Sequence, residues 1–381
     1  MEIYLDNAAT TRVDQKVVEA MLPFFLETYG NAHSMHQAGK KVMEAVEKAR
    51  EVLARKIQAN PGELFFTSGG TEGNNLAIKG ILQANKDKGN HIITSAIEHA
   101  SILETCKALQ KEGYKVTFLP VDPEGFVNLE QLRNAITEKT LLVSIMHANN
   151  EIGTIQDIAE MGRICREKNI LFHTDAVQSF CKEEIEVEEM NIDLLSISGH
   201  KIHGPKGIGA LYRRQGIKIT PLLRGGEQEQ QIRSGTLNVP AIVGFSKAIE
   251  VFSETDIEWM QQLRDMLLQS ILENIPFTKL NGSREKRLCN NANVAFEYVE
   301  ADSLLTQLDS HGIRVSTGSA CESYSLEPSH VLQAIGLSPE LAHGTLRFSL
   351  SKYTTREEIH YTIQKLMEIV DSLRKVNALV G

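Results

Sequence analysis

The chain has 381 residues, 42% hydrophobic and 23% charged, an ordinary globular composition in a length that exceeds one comfortable core, so two domains are expected. With 40 Lys+Arg against 49 Asp+Glu it is mildly acidic and carries no basic block, so nucleic acid is not indicated as a partner. No uninterrupted apolar stretch is long enough to span a bilayer, and the first six residues lack a signal-peptide pattern; a soluble cytoplasmic protein is expected.

Taken in chain order, short apolar and β-branched runs fall at residues 64–67, 91–95, 115–119, 141–145, 170–174, 194–198 and 208–212. Helical patterns such as 129–136 and 158–168 lie between them. Near-continuous apolar strands separated by helices predict an α/β fold with a mostly parallel, seven-stranded sheet buried on both faces. After Pro240 the pattern changes to long helices over 242–252 and 259–275, short strands over 293–296 and 314–316, and a last helix over 356–373. Residues 15–250 are expected to form a large α/β domain. Residues 1–14 and 251–381 are expected to form a smaller α+β domain.

Four segments carry chemistry, and ligands in such sheets collect at the carboxyl ends of the strands. The first runs Phe66-Thr67-Ser68-Gly69-Gly70-Thr71-Glu72-Gly73 into a helix expected to start near Asn74. Its free backbone N–H groups, Gly70 among them, suit a phosphate, with the Thr71 hydroxyl beside them. An ordinary glycine-rich helix start reads equally well. The second is Asp175, at the end of an apolar run, with Gln178 one turn on. A carboxylate there pairs with a pyridinium nitrogen or caps a helix.

The third is Ser198-Gly199-His200-Lys201-Ile202-His203-Gly204-Pro205-Lys206. Lys201, just beyond a strand, suits a Schiff base to a carbonyl cofactor, with Ser198 and His200 free to contact phosphate. Lys206 competes for that role from a turn. His200 and His203 lack the further ligands that a metal site needs, and no metal is expected. The fourth is Cys321, set among Gly318, Ser319, Ala320, Ser323 and Ser325, a small-residue setting that predicts an exposed, flexible loop. The other cysteines, at 106, 165, 181 and 289, show no paired spacing, which favours a reducing compartment.

Together with Tyr4-Leu5-Asp6-Asn7-Ala8-Ala9-Thr10-Thr11, Glu98-His99, His147-Ala148-Asn149-Asn150-Glu151, Arg233-Ser234-Gly235-Thr236 and Arg347-Phe348-Ser349, these segments resemble a cysteine desulfurase of the NifS/IscS type. That group lies within the class V aminotransferases and fold type I pyridoxal-phosphate enzymes. The resemblance covers nearly the whole chain, and Gly318-Ser319-Ala320-Cys321 through Pro328-Ser329 is similar to the group I members with a long mobile cysteine loop.

The resemblance implies roles by position. Lys201 holds pyridoxal 5'-phosphate and shuttles the Cα proton. Asp175 pairs with the pyridinium nitrogen, Gln178 with the ring hydroxyl, and His99 stacks on the ring and assists proton transfer. Asn150 lines the ring edge or the substrate. Gly70, Thr71, Ser198 and His200 bind the phosphate, with Thr236 reaching it from a neighbouring subunit of a homodimer. Arg347 clamps the substrate carboxylate, helped by Asn31. Cys321 takes sulfur from L-cysteine as a persulfide and passes it to an acceptor, such as an iron–sulfur scaffold protein.

Three features depart from the family pattern: Glu322 follows the nucleophile, Gly73 stands where a phosphate-binding hydroxyl is common, and the tail ending at Gly381 is short for scaffold docking. A selenocysteine lyase, another fold type I β-lyase, or a non-catalytic relative acting as a scaffold are the alternative readings.

Overall fold

The structure is a computed structural model that describes residues 2–317 and 328–380, residues 377–380 without their side chains. The first strand, β1 (Ile3–Tyr4), is brief. The apolar runs that follow fold as β2 (Leu64–Thr67), β3 (His91–Ser95), β4 (Lys115–Leu119), β5 (Thr140–Ser144), β6 (Leu171–Asp175), β7 (Leu194–Ser198) and β8 (Gly209–Arg213). They form one seven-stranded sheet in the order β2-β8-β7-β6-β5-β3-β4. Only β8 runs antiparallel to its neighbours.

Alternate residues of these strands feed two cores, which is why the strands read as continuous apolar runs. Phe65, Ile92, Leu142, Leu194 and Leu211 pack on one face against Ile78, Ile81, Ile102 and Leu109 of the helices Gly70–Ala84 and Ala100–Lys111. Phe66, Ile93, Val143 and Ile197 pack on the other, where the helices Gln37–Lys56 and Val239–Val251 contribute Val46, Leu53, Ile242 and Phe245. The exposed edge belongs to β4, which begins on the charged, solvent-facing Lys115.

Further on lie β9 (Thr278–Leu280), β10 (Asn291–Phe296), β11 (Ile313–Arg314) and β12 (Thr345–Ser349). The last forms an antiparallel sheet with β10 and β9, while β11 pairs in parallel with β1. Ile3 and Leu5 therefore share an apolar cluster with Leu263 and Ile271 of the helix Glu254–Asn274, and with Ile359 and Leu366 of the helix Arg356–Val380.

Among the boundaries that differ from the sequence reading, three have a local cause or consequence. The helix expected from 259 begins at Glu254, because Ser253 and Asp256 form a reciprocal capping box. The strand expected over 314–316 is Ile313–Arg314, and Ser316 makes only an isolated bridge with Arg347. The helix expected near Asn74 starts at Gly70, directly after a Gly69 whose φ of 155° suits glycine.

Candidate active site

Five turns leaving the carboxyl ends of β2, β3, β5, β6 and β7 enclose a cavity of about 250 Å³. Ala8 and Ala9 close one side, and Arg347 of β12 closes another. Gly70, Thr71, His99, Asn150, Asp175, Gln178, Ser198, His200 and Lys201 all line this space. A larger open cleft of about 880 Å³ lies at the amino ends of β5 and β6, lined by Lys88, Glu138, Lys168 and Lys218. It holds none of the residues singled out in the sequence.

One end of the cavity is built for an anion. The helix Gly70–Ala84 starts there with no side-chain cap, so its first N–H groups and the positive end of its dipole face the cavity wall. Ser198 Oγ is buried and has no hydrogen-bond partner, a donor that a phosphate oxygen would satisfy. His200 contacts Thr10 Oγ1 through Nδ1 at 3.1 Å. Burial, reinforced by Lys201, Lys206 and Lys182, pushes its pKa down to about 4, so the imidazole is neutral at pH 7. Gly73 is not a missing phosphate contact: a Cβ there would lie 3.0 Å from Ser196 Oγ, facing the sheet.

The middle of the cavity is anionic. Asp175, almost fully buried at the end of β6, accepts from Val177 N at 2.9 Å and from Asn74 Nδ2 at 2.7 Å. The carboxylate thus caps a turn, not the helix that one sequence reading expected, while still lining the cavity. Gln178 Nε2 donates to the Ala8 carbonyl at 3.0 Å. Across from them, His99 caps the helix Ala100–Lys111, its Nδ1 accepting from Ser101 N at 3.1 Å. That bond leaves the proton of the neutral ring on Nε2.

Lys201 follows β7 within the short turn Gly199–Lys201, and its Nζ donates to the carbonyls of Ala8 at 2.5 Å and Ala9 at 2.7 Å. Lys206, the competing lysine, is exposed and outside the cavity. His203 turns away to the Arg12 carbonyl at 2.8 Å, and no three potential metal ligands are grouped among the described residues. Arg347 is buried; its Nη2 pairs with Asp6 at 2.7 Å and its Nη1 donates to the Asn150 carbonyl at 3.1 Å, while Nε has no partner. A carboxylate entering beside it meets a guanidinium already fixed in place.

Asn31 and Thr236 are exposed and stand outside the cavity of their own chain. Cys321 and Glu322 lie outside the described residues. Sequence reading missed Asn74, Ser101 and Met146, which also line the space. Asn74 carried a signal: it is one helical turn after Gly70 and so shares a face with the helix start. Glu98 was noted only as part of a motif. It is fully buried, accepts from Ser95 Oγ at 2.6 Å and Met146 N at 3.0 Å, and burial, with the Asp175 charge adding to it, pushes its carboxyl up to about 8.

Residues 3–362 match the family described as aminotransferase class-V. A cysteine desulfurase IscS of Dictyoglomus turgidum is 51% identical over 379 residues, covering 99% of this chain and 96% of that protein. One of Methanosarcina thermophila is 52% identical over 380 residues, covering 99% and 94%. Among solved structures, a NifS-like protein aligns with a TM-score of 0.92 at 41% identity, over 98% of this chain and 100% of that one. SspA in complex with cysteine aligns with a TM-score of 0.84 at 40% identity, over 93% and 100%.

Proposed function

The chain belongs to the aminotransferase class-V family, and from that premise we propose how its residues divide the work of a cysteine desulfurase. The enzyme uses pyridoxal 5'-phosphate to remove sulfur from L-cysteine, giving L-alanine and an enzyme persulfide. One observation carries the residue roles: Lys201, Asp175 and Arg347 converge on a single cavity whose far end presents donors suited to an anion. A planar cofactor with one phosphate matches that set of donors and charges.

When bound, the cofactor supplies a carbonyl that condenses with amines and an electron-poor ring that accepts the electrons released at the substrate Cα. Gly70, Thr71, Ser198 and His200, which line one end of the cavity, would hold its phosphate, and Asp175 would pair with the pyridinium nitrogen and Gln178 with the ring hydroxyl. His99 covers the ring and holds a proton on Nε2. Asn150 borders the ring edge and, through its carbonyl, steadies Arg347. Arg347 binds the L-cysteine carboxylate. Lys201 Nζ would hold the cofactor's carbonyl carbon and, when free, would take the substrate Cα proton and return it.

Cys321 acts as the thiolate. Its sulfur attacks the substrate sulfur, the new S–S bond forms as the Cβ–S bond breaks, and the carbon fragment leaves with the electron pair and is protonated to alanine. The persulfide then passes to an acceptor protein such as an iron–sulfur scaffold.

The working unit is a homodimer. Leu26 at 81% exposure and Met35 at 91% stand with Leu22, Phe25 and Tyr29 on one stretch of surface that flanks Asn31. A second copy covering that stretch supports a place for Asn31 at the substrate end and for Thr236 at the phosphate. Residues 15–250 form the cofactor domain, and 1–14 with 251–381 the smaller one; the cluster that unites Ile3 and Leu5 with Leu263 and Ile359 supports this division. No helix among the described residues is long and apolar enough to cross a membrane, and the four described cysteines are free thiols, in keeping with a cytoplasmic location.

The test is direct. The yellow protein, incubated with L-cysteine, should release alanine and carry persulfide on Cys321. Alanine formation without a persulfide on Cys321 would remove the assignment of the nucleophile.

A further inference from the structure

Three consecutive residues, Glu229, Gln230 and Gln231, hold the left-handed backbone conformation with φ of 47°, 53° and 63°. None is glycine. Such a run costs backbone strain at every residue and persists only where the surroundings enforce it. Strain of this kind collects at sites that position something.

The enforcing contact is a buried ion pair. Arg50 Nη2 meets Glu229 Oε1 at 2.7 Å and Nη1 meets Oε2 at 2.9 Å. Both side chains are nearly inaccessible, at 9% and 1%. The pair is tied to the edge of β2: Arg50 Nη1 donates to the Leu64 carbonyl at 2.7 Å, and Glu229 Oε2 accepts from Phe66 N at 2.6 Å. The guanidinium also lies over the Phe66 ring, 4.7 Å from its centroid. Burial lowers the Arg50 pKa, and the Glu229 carboxylate, with Glu47 adding to it, more than reverses this.

Beyond the strained turn the chain is pinned repeatedly. Ile232 and Leu237 are buried in the two cores of the large sheet. Arg233 pairs with Glu72 at 2.8 Å, and Glu72 in turn accepts from Ser68 N at 2.8 Å on the phosphate turn. Ser234 Oγ donates to the Gly226 carbonyl at 2.8 Å. Between these anchors only Gly235, with φ of 123°, and Thr236 stand exposed. The loop presents one hydroxyl outward, and its own cavity does not receive it.

We propose that the Arg50–Glu229 pair is a positioning device acting between subunits: it enforces the strained turn that carries Thr236 of one copy to the phosphate end of the other copy's cavity. This rests on the homodimer and on Thr236 as a phosphate contact in trans, both proposed above. Arg50 and Glu229 are positioning residues, since neither touches the cofactor.

Hybrid dimers test it. Glu229→Gln keeps the shape of the side chain and removes its charge, and the homodimer should bind pyridoxal phosphate at least ten-fold more weakly. Pairing a Glu229→Gln chain with a Lys201→Ala chain creates one live site, formed by an intact Lys201 and an intact loop from the other chain. That site should recover normal cofactor affinity by titration of its absorbance. A defect that stays in the hybrid, or a Glu229→Gln homodimer of normal affinity, overturns the proposal.

Thr236→Ala, put through the same pairing, separates the two claims. If its defect is not rescued in the hybrid, or if the protein is monomeric by light scattering, the shared-site reading falls. If it is rescued while Glu229→Gln is silent, only the positioning claim falls. Should Glu229→Gln fail to fold, the exposed Gln231→Val disfavours the left-handed conformation at that position without touching the ion pair. A three-fold or greater loss of affinity, rescued in the hybrid, supports the device, and unchanged affinity overturns it.

Discussion

Asn74 and Asp175 are joined at 2.7 Å, Nδ2 to Oδ2, inside the wall of the cavity. The same amide nitrogen reaches Ser101 Oγ at 2.9 Å, and Ser101 Oγ meets His99 Nδ1 at 2.8 Å. With Asn74 donating at both contacts, the Ser101 hydroxyl is free to donate to His99. The two residues proposed to face the cofactor ring, Asp175 and His99, therefore share one directional hydrogen-bond chain.

Removing the link should disturb both ends at once. Asn74→Ala leaves a buried carboxylate oxygen without one of its donors, an effect of about 1–3 kcal/mol. Turnover of L-cysteine is expected to fall roughly 10- to 100-fold, given about 1.4 kcal/mol per decade. The absorbance of the bound cofactor should also titrate at a different pH from the parent protein. Ser101→Ala, which leaves the Asn74–Asp175 bond in place, should leave that titration nearly unchanged. Identical spectral titrations in Asn74→Ala and the parent would contradict a role for the amide.

Arg347 offers a fork already braced by Asp6 and Asn150. Arg347→Lys keeps a positive charge but loses the paired donors that match a carboxylate. The expected result is a KM for L-cysteine raised about 10- to 100-fold, as for the loss of a charge-assisted bond. Cofactor content, read from absorbance, should stay at parent level. An unchanged KM would place the carboxylate elsewhere.

Cys321→Ser should leave the protein yellow and able to change colour on adding L-cysteine, because the cofactor residues are untouched. Alanine formation should nevertheless stop. Steady alanine production by this variant, measured by amino-acid analysis, would mean that sulfur leaves without the thiol, and selenocysteine should then be compared as substrate.

Stability should fall away on both sides of neutrality, for opposite reasons. Burial holds His147 and His203 at about 4 and His173 at about 3, below the 6.5 of an unfolded chain. Between those values the unfolded chain binds protons that the folded one refuses, so stability drops as pH falls from 6.5 toward 4. Each such imidazole is worth roughly 3 kcal/mol across the window. Glu98 works the other way: its carboxyl is raised to about 8, so its contribution is complete below the unfolded value near 4.5 and disappears as pH rises through 8. Thermal melts from pH 5 to 9 should show a maximum near neutrality, and Glu98→Gln should flatten the fall between neutrality and pH 8 while steepening the acid limb slightly. An alkaline limb equally steep in that variant would clear Glu98.

The large sheet was legible in the sequence because strands buried on both faces cannot hide polar residues. Runs 64–67, 91–95, 115–119 and 194–198 fold as read, and the remaining three shift by a single residue. The acidic run Glu183, Glu184, Glu186, Glu188 and Glu189, which reads in sequence as a solvated surface, was less transparent. Ile185 and Val187 are buried between its carboxylates, and burial pushes Glu183 up to about 7, so this stretch is a half-buried turn and not a uniformly solvated face. Of the cavity wall, residues with unusual chemistry were found, whereas Asn74 and Ser101 act by supporting others and look ordinary in isolation. Asn31 and Thr236 stand apart from the cavity of their own chain, and the proposed second copy would account for this: a surface shared by two copies is only half encoded by the position of one.

Ser316 is stitched to Arg347 in both directions, at 2.7 and 3.2 Å, and Ser329 Oγ is held by Glu151 Oε2 at 2.6 Å, next to Asn150. These two anchors act as the ends of a leash, and Cys321 lies five residues from the first and eight from the second. At 3.3–3.6 Å per extended residue, its Cα can stand no farther than about 17 Å from Ser316. On the roles proposed above, sulfur delivery becomes a matter of radius: the acceptor thiol would collect its atom within that distance of Ser316, whose backbone is bound to Arg347.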